Sequence, residues 1–217
     1  MKIGIIGATG KAGRDIHAEA VARGHEVVAL VRDAARAAEV LGADATVVVR
    51  DAFELTHRDL LSFDVVVNAF GTGPDQAYRH VDLARHLVET ADGLEPRLVF
   101  ILGAGSLVTG ADRHQFLQDI AHIPGAESWI AIPRAQVHEL DYLRAIGGAN
   151  WVGISPSAVF EPGPATTPVL GRDELLVAPD GGSHTTTGTM AIAVLDEIEN
   201  PQHANCRFTV GDGTPLS

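Results

Sequence analysis

Ile3-Gly4-Ile5-Ile6-Gly7-Ala8-Thr9-Gly10-Lys11-Ala12-Gly13 is the stretch whose reading decides the fold. An apolar run of strand character meets a ladder of three glycines, and helix formers follow. Gly7 can take the tight turn after a buried strand. Gly10 leaves room for a phosphate against the backbone, and Gly13 lets the next helix sit close to the sheet. The start of that helix offers free N–H groups and the positive end of its dipole to an anion. Strand, turn and helix in this order make a site for a dinucleotide pyrophosphate. Gly7, Thr9, Gly10, Lys11 and Ala12 are its candidate contacts.

The alternation continues outward from the ladder. Strands are expected at Lys2–Ile6, Glu26–Val31, Ala45–Val49, Val65–Asn68, Arg97–Leu102 and Trp151–Ile154, and the last at Arg207–Val210. Helices are expected at Lys11–Arg23, Ala34–Leu41, Thr56–Leu61, Asp75–Ala91, Arg134–Ile146 and Thr189–Glu199. Continuous apolar strands separated by helices describe a parallel sheet covered on both faces. The fold class is therefore α/β, a Rossmann-type doubly wound parallel sheet, with ligand at the carboxyl ends of the strands. After Ser155 the pattern loosens. Pro156, Pro162, Pro164, Pro168 and Pro179 punctuate it, with one strand expected at Glu174–Val177. Residues 1–217 read as a single domain, with 156–190 a loop-rich segment forming a small C-terminal substrate lobe.

Composition narrows the partners. The 217 residues carry a net charge of −12 with 46% hydrophobic residues. That suits a globular domain and argues against nucleic acid or an anionic membrane as the main partner. The lone Cys206 excludes an intrachain disulfide. No leader and no apolar run of spanning length is visible, so the expectation is a cytoplasmic monomer or homodimer acting on a small molecule.

Arg32 follows the second strand, 19 residues after Gly13. An acidic residue there would hold the ribose 2′-hydroxyl of NAD; an arginine favours the 2′-phosphate of NADP. Asp33 is its neighbour, and reverses the preference if its carboxylate faces the ribose. NADP is the expected cofactor, with NAD the alternative. The small residues at Ala69-Phe70-Gly71 leave room for the cofactor to cross the sheet edge. A Tyr-x-x-x-Lys pair is excluded: Lys2 and Lys11 are the only lysines, and Tyr78 and Tyr142 are followed four residues on by Asp82 and Ile146. An ordinary short-chain alcohol dehydrogenase is thereby rejected. No metal site is expected, because His80 and His86 do not share a helical face and no His-Glu-x-x-His occurs. His114, His122 and His138 lie near the segment able to cover a substrate and read first as surface residues. Ser106 lacks a Gly-x-Ser-x-Gly setting.

The G-x-x-G-x-x-G spacing resembles extended and atypical short-chain dehydrogenase/reductases. Three later blocks sharpen this: Leu102-Gly103-Ala104-Gly105-Ser106-Leu107, Ile154-Ser155-Pro156 through Gly163, and Leu195 through Gly211. Together they resemble bacterial proteins described as NADH-flavin reductases, in the NmrA-like, biliverdin-reductase-B-like branch, over nearly the whole chain. The resemblance implies that Asp51 contacts the adenine amino group and that Ala69, Phe70 and Gly71 lie beside the adenosine ribose. It also implies that Gly103, Ser155 and Pro156 touch the cofactor and that Ser106 is the catalytic hydroxyl. The chain departs from the branch at Thr185-Thr186-Thr187-Gly188-Thr189, where a more acidic, aromatic segment is expected. The function implied is hydride transfer from NAD(P)H to a flavin, quinone or similar conjugated acceptor. Such acceptors depend mainly on ring stacking and need little proton donation. The rival is a non-catalytic NAD(P) sensor. An epimerase using bound NAD is weakened by the missing Tyr-x-x-x-Lys.

Overall fold

The computed structural model describes residues 1–91, 93–178 and 180–216. In chain order its elements are β1 (Lys2–Ile6), α1 (Lys11–Ala22), β2 (Glu26–Val31), α2 (Ala34–Leu41), β3 (Val47–Val49), α3 (His57–Leu60), β4 (Val65–Asn68), α4 (Arg79–Ala91), β5 (Arg97–Ile101), β6 (Val108–Thr109) and β7 (His114–Gln115). There follow α5 (Phe116–Ala121), α6 (Ala131–Ala145), β8 (Trp151–Pro156), β9 (Val159–Glu161), β10 (Thr166–Gly171), β11 (His184–Thr186), α7 (Thr187–Glu199) and β12 (Cys206–Pro215). Eight strands make one sheet in the order β10-β12-β8-β5-β4-β1-β2-β3. Neighbours run parallel except β10, which is antiparallel to β12.

The strands are apolar on both sides because both faces are covered. On one face Ile3, Ile5, Val27 and Val67 meet Ile16 of α1 and Met190, Val194 and Ile198 of α7. On the other, Ile6, Val66, Leu98 and Phe100 meet Leu83 and Leu87 of α4 and Leu140 and Leu143 of α6. Each large side chain buried this way contributes roughly 1.5–3 kcal/mol. From β1 the chain winds outward through β2 to β3, then returns to β4 on β1's other side. The crevice at the carboxyl ends of β1 and β4 is the switch point where such sheets bind ligands. The α/β doubly wound fold is as the sequence predicts.

Several bounds differ. The third strand starts at Val47, and Thr56 caps α3 in a reciprocal capping box with Asp59. Pro74–Gln76 forms a separate 3-10 turn before α4. α6 begins at Ala131, since Pro133 is tolerated in a first helical turn. α7 begins at Thr187, two residues earlier than expected. The strand expected at Glu174–Val177 does not form: Glu174 makes only an isolated bridge to Val108. Residues 156–190 instead carry β9, β10 and β11, and β10 joins the main sheet as its edge. Pro179 lies outside the described residues.

Asp212 of β12 anchors this segment. It is buried and accepts from the Thr186 amide at 2.9 and 3.0 Å and pairs with His184 Nδ1 at 2.9 Å. Burial works against the Asp212 carboxylate, but the Thr189 and Thr186 groups and His184 hold it below the ordinary range. β11 is thus fixed to the sheet, and β11 in turn pairs with β9.

Candidate functional site

A cleft of about 1260 Å³ opens at the carboxyl ends of the strands. Its floor is the glycine ladder. Gly7 has φ +73°, and a Cβ there would lie 2.4 Å from the Ala69 carbonyl oxygen. Its own carbonyl accepts from the Gly10 amide at 2.8 Å. A Cβ on Gly13 would lie 2.2 Å from the Gly7 carbonyl oxygen, so α1 can start here only on a glycine. Gly10 caps α1 with no side-chain bond, and no acidic residue occupies the first turn. The first amides of α1 are therefore left for an anion. These features fit a dinucleotide pyrophosphate: Gly7 and Gly13 let strand, turn and helix pack closely, and no side chain caps the amides that open α1.

One end of the cleft is lined by Arg32, Asp33, Arg36, Arg50 and Asp51. The Asp33 carboxylate caps α2, accepting from the Arg36 amide at 3.0 Å. Asp51 caps the next turn by accepting from the Phe53 amide at 3.0 Å. Arg50 is paired with Asp59. Ala69, Phe70 and Gly71 line the wall here, the Phe70 amide being held by Asn68 Oδ1 at 3.2 Å.

Beyond the ladder, the far end is lined by Gly103, Pro133, Gln136, Pro156, Trp129, Ile132 and Phe160, among others. Lys11 crosses toward it: its Nζ donates to the Phe160 carbonyl at 2.7 Å and lies 4.6 Å from the centre of that ring. Burial lowers the Lys11 pKa, with Glu161 opposing. Gln136 stands over Gly103, where a Cβ would meet its Oε1 at 2.2 Å.

Twelve of the expected contacts therefore share one cleft: Gly7, Thr9, Gly10, Lys11, Ala12, Arg32, Asp51, Ala69, Phe70, Gly71, Gly103 and Pro156. Ser106 and Ser155 are not in its lining. Both are buried and both accept from Arg207 Nη1, at 3.1 and 3.0 Å. Ser155 also donates to the Gly103 carbonyl at 2.9 Å. Arg207 is fixed from behind by Asp173, whose carboxylate burial opposes but Arg207 and Arg144 hold below the ordinary range. Ser155 thus ties β8 to the chain just after β5, and Ser106, expected beside the acceptor, lies outside the cleft lining with its oxygen on Arg207.

His114, His122 and His138 also stay outside the cleft. His114 lies between Asp112 and Asp119, and His122 bonds the Gln118 carbonyl. The histidine that lines the cleft is His80. Sequence reasoning missed it, along with Arg36, Gln136 and Phe160. Arg36 had a signal, lying in the first turn of the helix that follows Arg32; the others depend on packing between elements with no local motif. Among the described residues, no group of three or more His, Cys, Asp or Glu is placed to hold a metal ion. No helix among them is long and apolar enough to cross a membrane.

Residues 7–201 match the NAD(P)H-binding family model. The chain belongs to the NAD(P)H-binding family. This agrees with the atypical short-chain dehydrogenase/reductase character of its glycine ladder. The Bacillus subtilis protein YwnB, itself uncharacterized, is 41% identical over 213 residues, 97% of this chain and 98% of its own. A Lactobacillus casei protein of known structure is 43% identical, with a TM-score of 0.92 over 98% of this chain and all of its own. A candidate NADH-flavin reductase of Streptococcus pneumoniae is 31% identical, with a TM-score of 0.86 over 98% of this chain and 99% of its own. The matched family is described by NAD(P)H binding.

Proposed function

We propose that the protein is an NADPH-dependent reductase that passes hydride to a flat conjugated acceptor such as a flavin or quinone. The observation that carries this is the shape of the cleft at the carboxyl ends of the strands. A phosphate cradle leads into a far end walled by Trp129, Ile132, Pro133 and Phe160. Apolar walls favour a planar acceptor laid against a nicotinamide, where ring geometry supplies most of the rate. Reduced nicotinamide dinucleotide supplies the hydride when bound. The chain's own residues orient it: the amides opening α1 take the pyrophosphate, and the far end of the cleft beyond them receives the ring. Ser155 acts by fixing the chain just after β5 through the Gly103 carbonyl. The Streptococcus pneumoniae relative, named for flavin reduction, supports the acceptor class.

NADP is favoured over NAD because Asp33 is committed to capping α2, leaving Arg32 and Arg36 at the ribose end. The working picture is a cytoplasmic monomer or homodimer with one small acceptor and no nucleic-acid or membrane partner. The test is NADPH oxidation by purified protein, followed by absorbance, with flavin mononucleotide and a naphthoquinone. Acceptor-dependent turnover is expected. No turnover across a panel of flavins, quinones and conjugated carbonyls sinks the proposal. The missing Tyr-x-x-x-Lys favours one second reading, a dinucleotide sensor. Tight binding of both cofactor forms without turnover, together with co-purification of one specific protein, would be its signature.

A further inference from the structure

Gln136 is a polar group set into a mostly apolar wall. It lies on α6, one turn on from Ile132 and Pro133, so the three share the face that lines the far end of the cleft. Its amide rests against the chain just after β5. Gly103 has no side chain there, and a Cβ would come within 2.2 Å of Gln136 Oε1 and 2.9 Å of its Cδ. The glycine thus keeps open the place that the amide occupies. Other polar groups of the lining are spent inside the protein. Lys11 Nζ donates to the Phe160 carbonyl at 2.7 Å, and the Ser157 hydroxyl donates to the Val210 carbonyl at 3.3 Å. His80 lines the cleft as well, but its Nε2 is closed off from solvent. Gln136 takes part in no such bond among the described residues, and it is only half-buried. An amide partly stripped of water, with no partner, costs free energy until a ligand supplies one.

We propose that Gln136 is the reading group of the far end, pairing its amide with a ring edge on which a carbonyl stands beside an N–H. The choice of rings rests on the reductase reading above. A side-chain amide holds N–H donors and a carbonyl acceptor side by side, so it meets such an edge with two parallel hydrogen bonds. Nicotinamide carries that edge in its carboxamide, and a flavin carries it in the imide of its ring system. A naphthoquinone has the carbonyl without the N–H and makes one bond of the two. The Trp129 indole and the Lys11 ammonium donate but do not accept. Of the side chains named at this end, Gln136 alone offers both functions on adjacent atoms. Two bonds to one edge fix the ring's rotation in the cleft, which contact with apolar walls leaves free, and hydride transfer depends on that orientation.

The test is a binding cycle that edits the ring edge and the side chain in turn. The cofactor pair is NADP and its 3-acetylpyridine analogue, in which a methyl replaces the carboxamide nitrogen. The acceptor pair is flavin mononucleotide and its N3-methyl derivative, titrated onto NADP-loaded protein. Calorimetry follows each pair on wild type, Gln136→Met and Gln136→Leu. A lost hydrogen bond costs up to roughly tenfold in affinity. Wild type should favour the unedited member of one pair by about that factor, and both variants should bind the two members of that pair alike. A response in the cofactor pair names the carboxamide as the edge; a response in the acceptor pair names the imide. Wild type indifferent to the cofactor edit, with the two flavins bound equally or not at all, overturns the proposal. So does a preference that survives in the variants, the mark of a purely structural glutamine. Every arm reads binding, so a protein that shows the expected preference without turning over refutes the reductase reading and leaves the role of Gln136 standing.

Discussion

Gly10 and Gly13 are three residues apart in the same ladder, yet they tolerate change differently. A Cβ on Gly10 would sit 3.1 Å from the Gly7 carbonyl oxygen, a contact that small shifts absorb, and it would stand in the pyrophosphate's path. Gly10→Leu should fold and lose cofactor binding by calorimetry. Gly13→Ala drives its methyl to 2.2 Å from the same oxygen, so the helix start must move. It should lower stability by about 1–3 kcal/mol in urea titration as well as weaken binding. A Gly13→Ala protein as stable as wild type would refute the close approach. Ser106→Ala makes a contrasting case. Its hydroxyl serves Arg207, so turnover should hold while stability drops by about 1 kcal/mol, the worth of one hydrogen bond. A collapse in turnover with stability intact would return Ser106 to the chemistry. At Arg32, a charge-assisted contact to the 2′-phosphate is worth roughly 1.5–3 kcal/mol, about tenfold or more in affinity. Arg32→Ala should cost NADPH that much and NADH little, and the gap should shrink in high salt. Equal losses for both cofactors would remove the arginine from the phosphate.

At the scale of elements, α2 decides how Asp33 is read. As a helix cap, its removal by Asp33→Ala should lower stability by about 1 kcal/mol and leave the NADPH preference unchanged. A variant whose preference shifts instead would mean that the carboxylate reads the ribose. The elements most legible in the sequence were those whose periodicity is set by burial on two faces. β1, β2, β4 and β5 are unbroken apolar runs, and α1 carries its apolar residues at helical spacing. β10 was hidden because Pro168 reads as a strand breaker. It is permitted on an outer strand, here at a register shift opposite Asp212, where no further strand needs its missing N–H. β6, β7 and α5 are two to six residues long and partly exposed, too short to develop a pattern. The candidate site follows the same division. The ladder, Arg32 and the strand-end glycines announce themselves locally. His80, Gln136 and Phe160 reach the cleft through packing between elements distant in sequence, and no spacing records that. Ser106 misled because its strand end was read correctly while Arg207, 101 residues away, takes its hydroxyl.

For the whole molecule, the buried carboxyls give stability a predictable pH dependence. Glu139 has a folded pKa well above its ordinary value. The unfolded chain therefore releases a proton that the folded protein keeps, and stability falls as pH rises from about 4.3 toward the folded pKa. Its slope is at most about 1.4 kcal/mol per pH unit from this one group. Glu139→Gln removes that loss, so the variant should gain on wild type at pH 7 and match it near pH 4 in parallel denaturant titrations. A difference that does not vary with pH would mean that Glu139 is ionised in the fold. Asp173 and Asp212 act with the opposite sign: held below the ordinary range, they lend stability above about pH 4 that drains away as pH drops further. The order of strands carries another consequence, for biosynthesis. Cys206 of β12 pairs with Val152 of β8, 54 residues earlier. As the nascent chain leaves the ribosome, β8 docks beside β5 with its other edge bare until β12 is made. Ribosomes stalled before residue 206 should therefore hold chains that adhere to holdase chaperones and aggregate on release, whereas chains released past 216 should not.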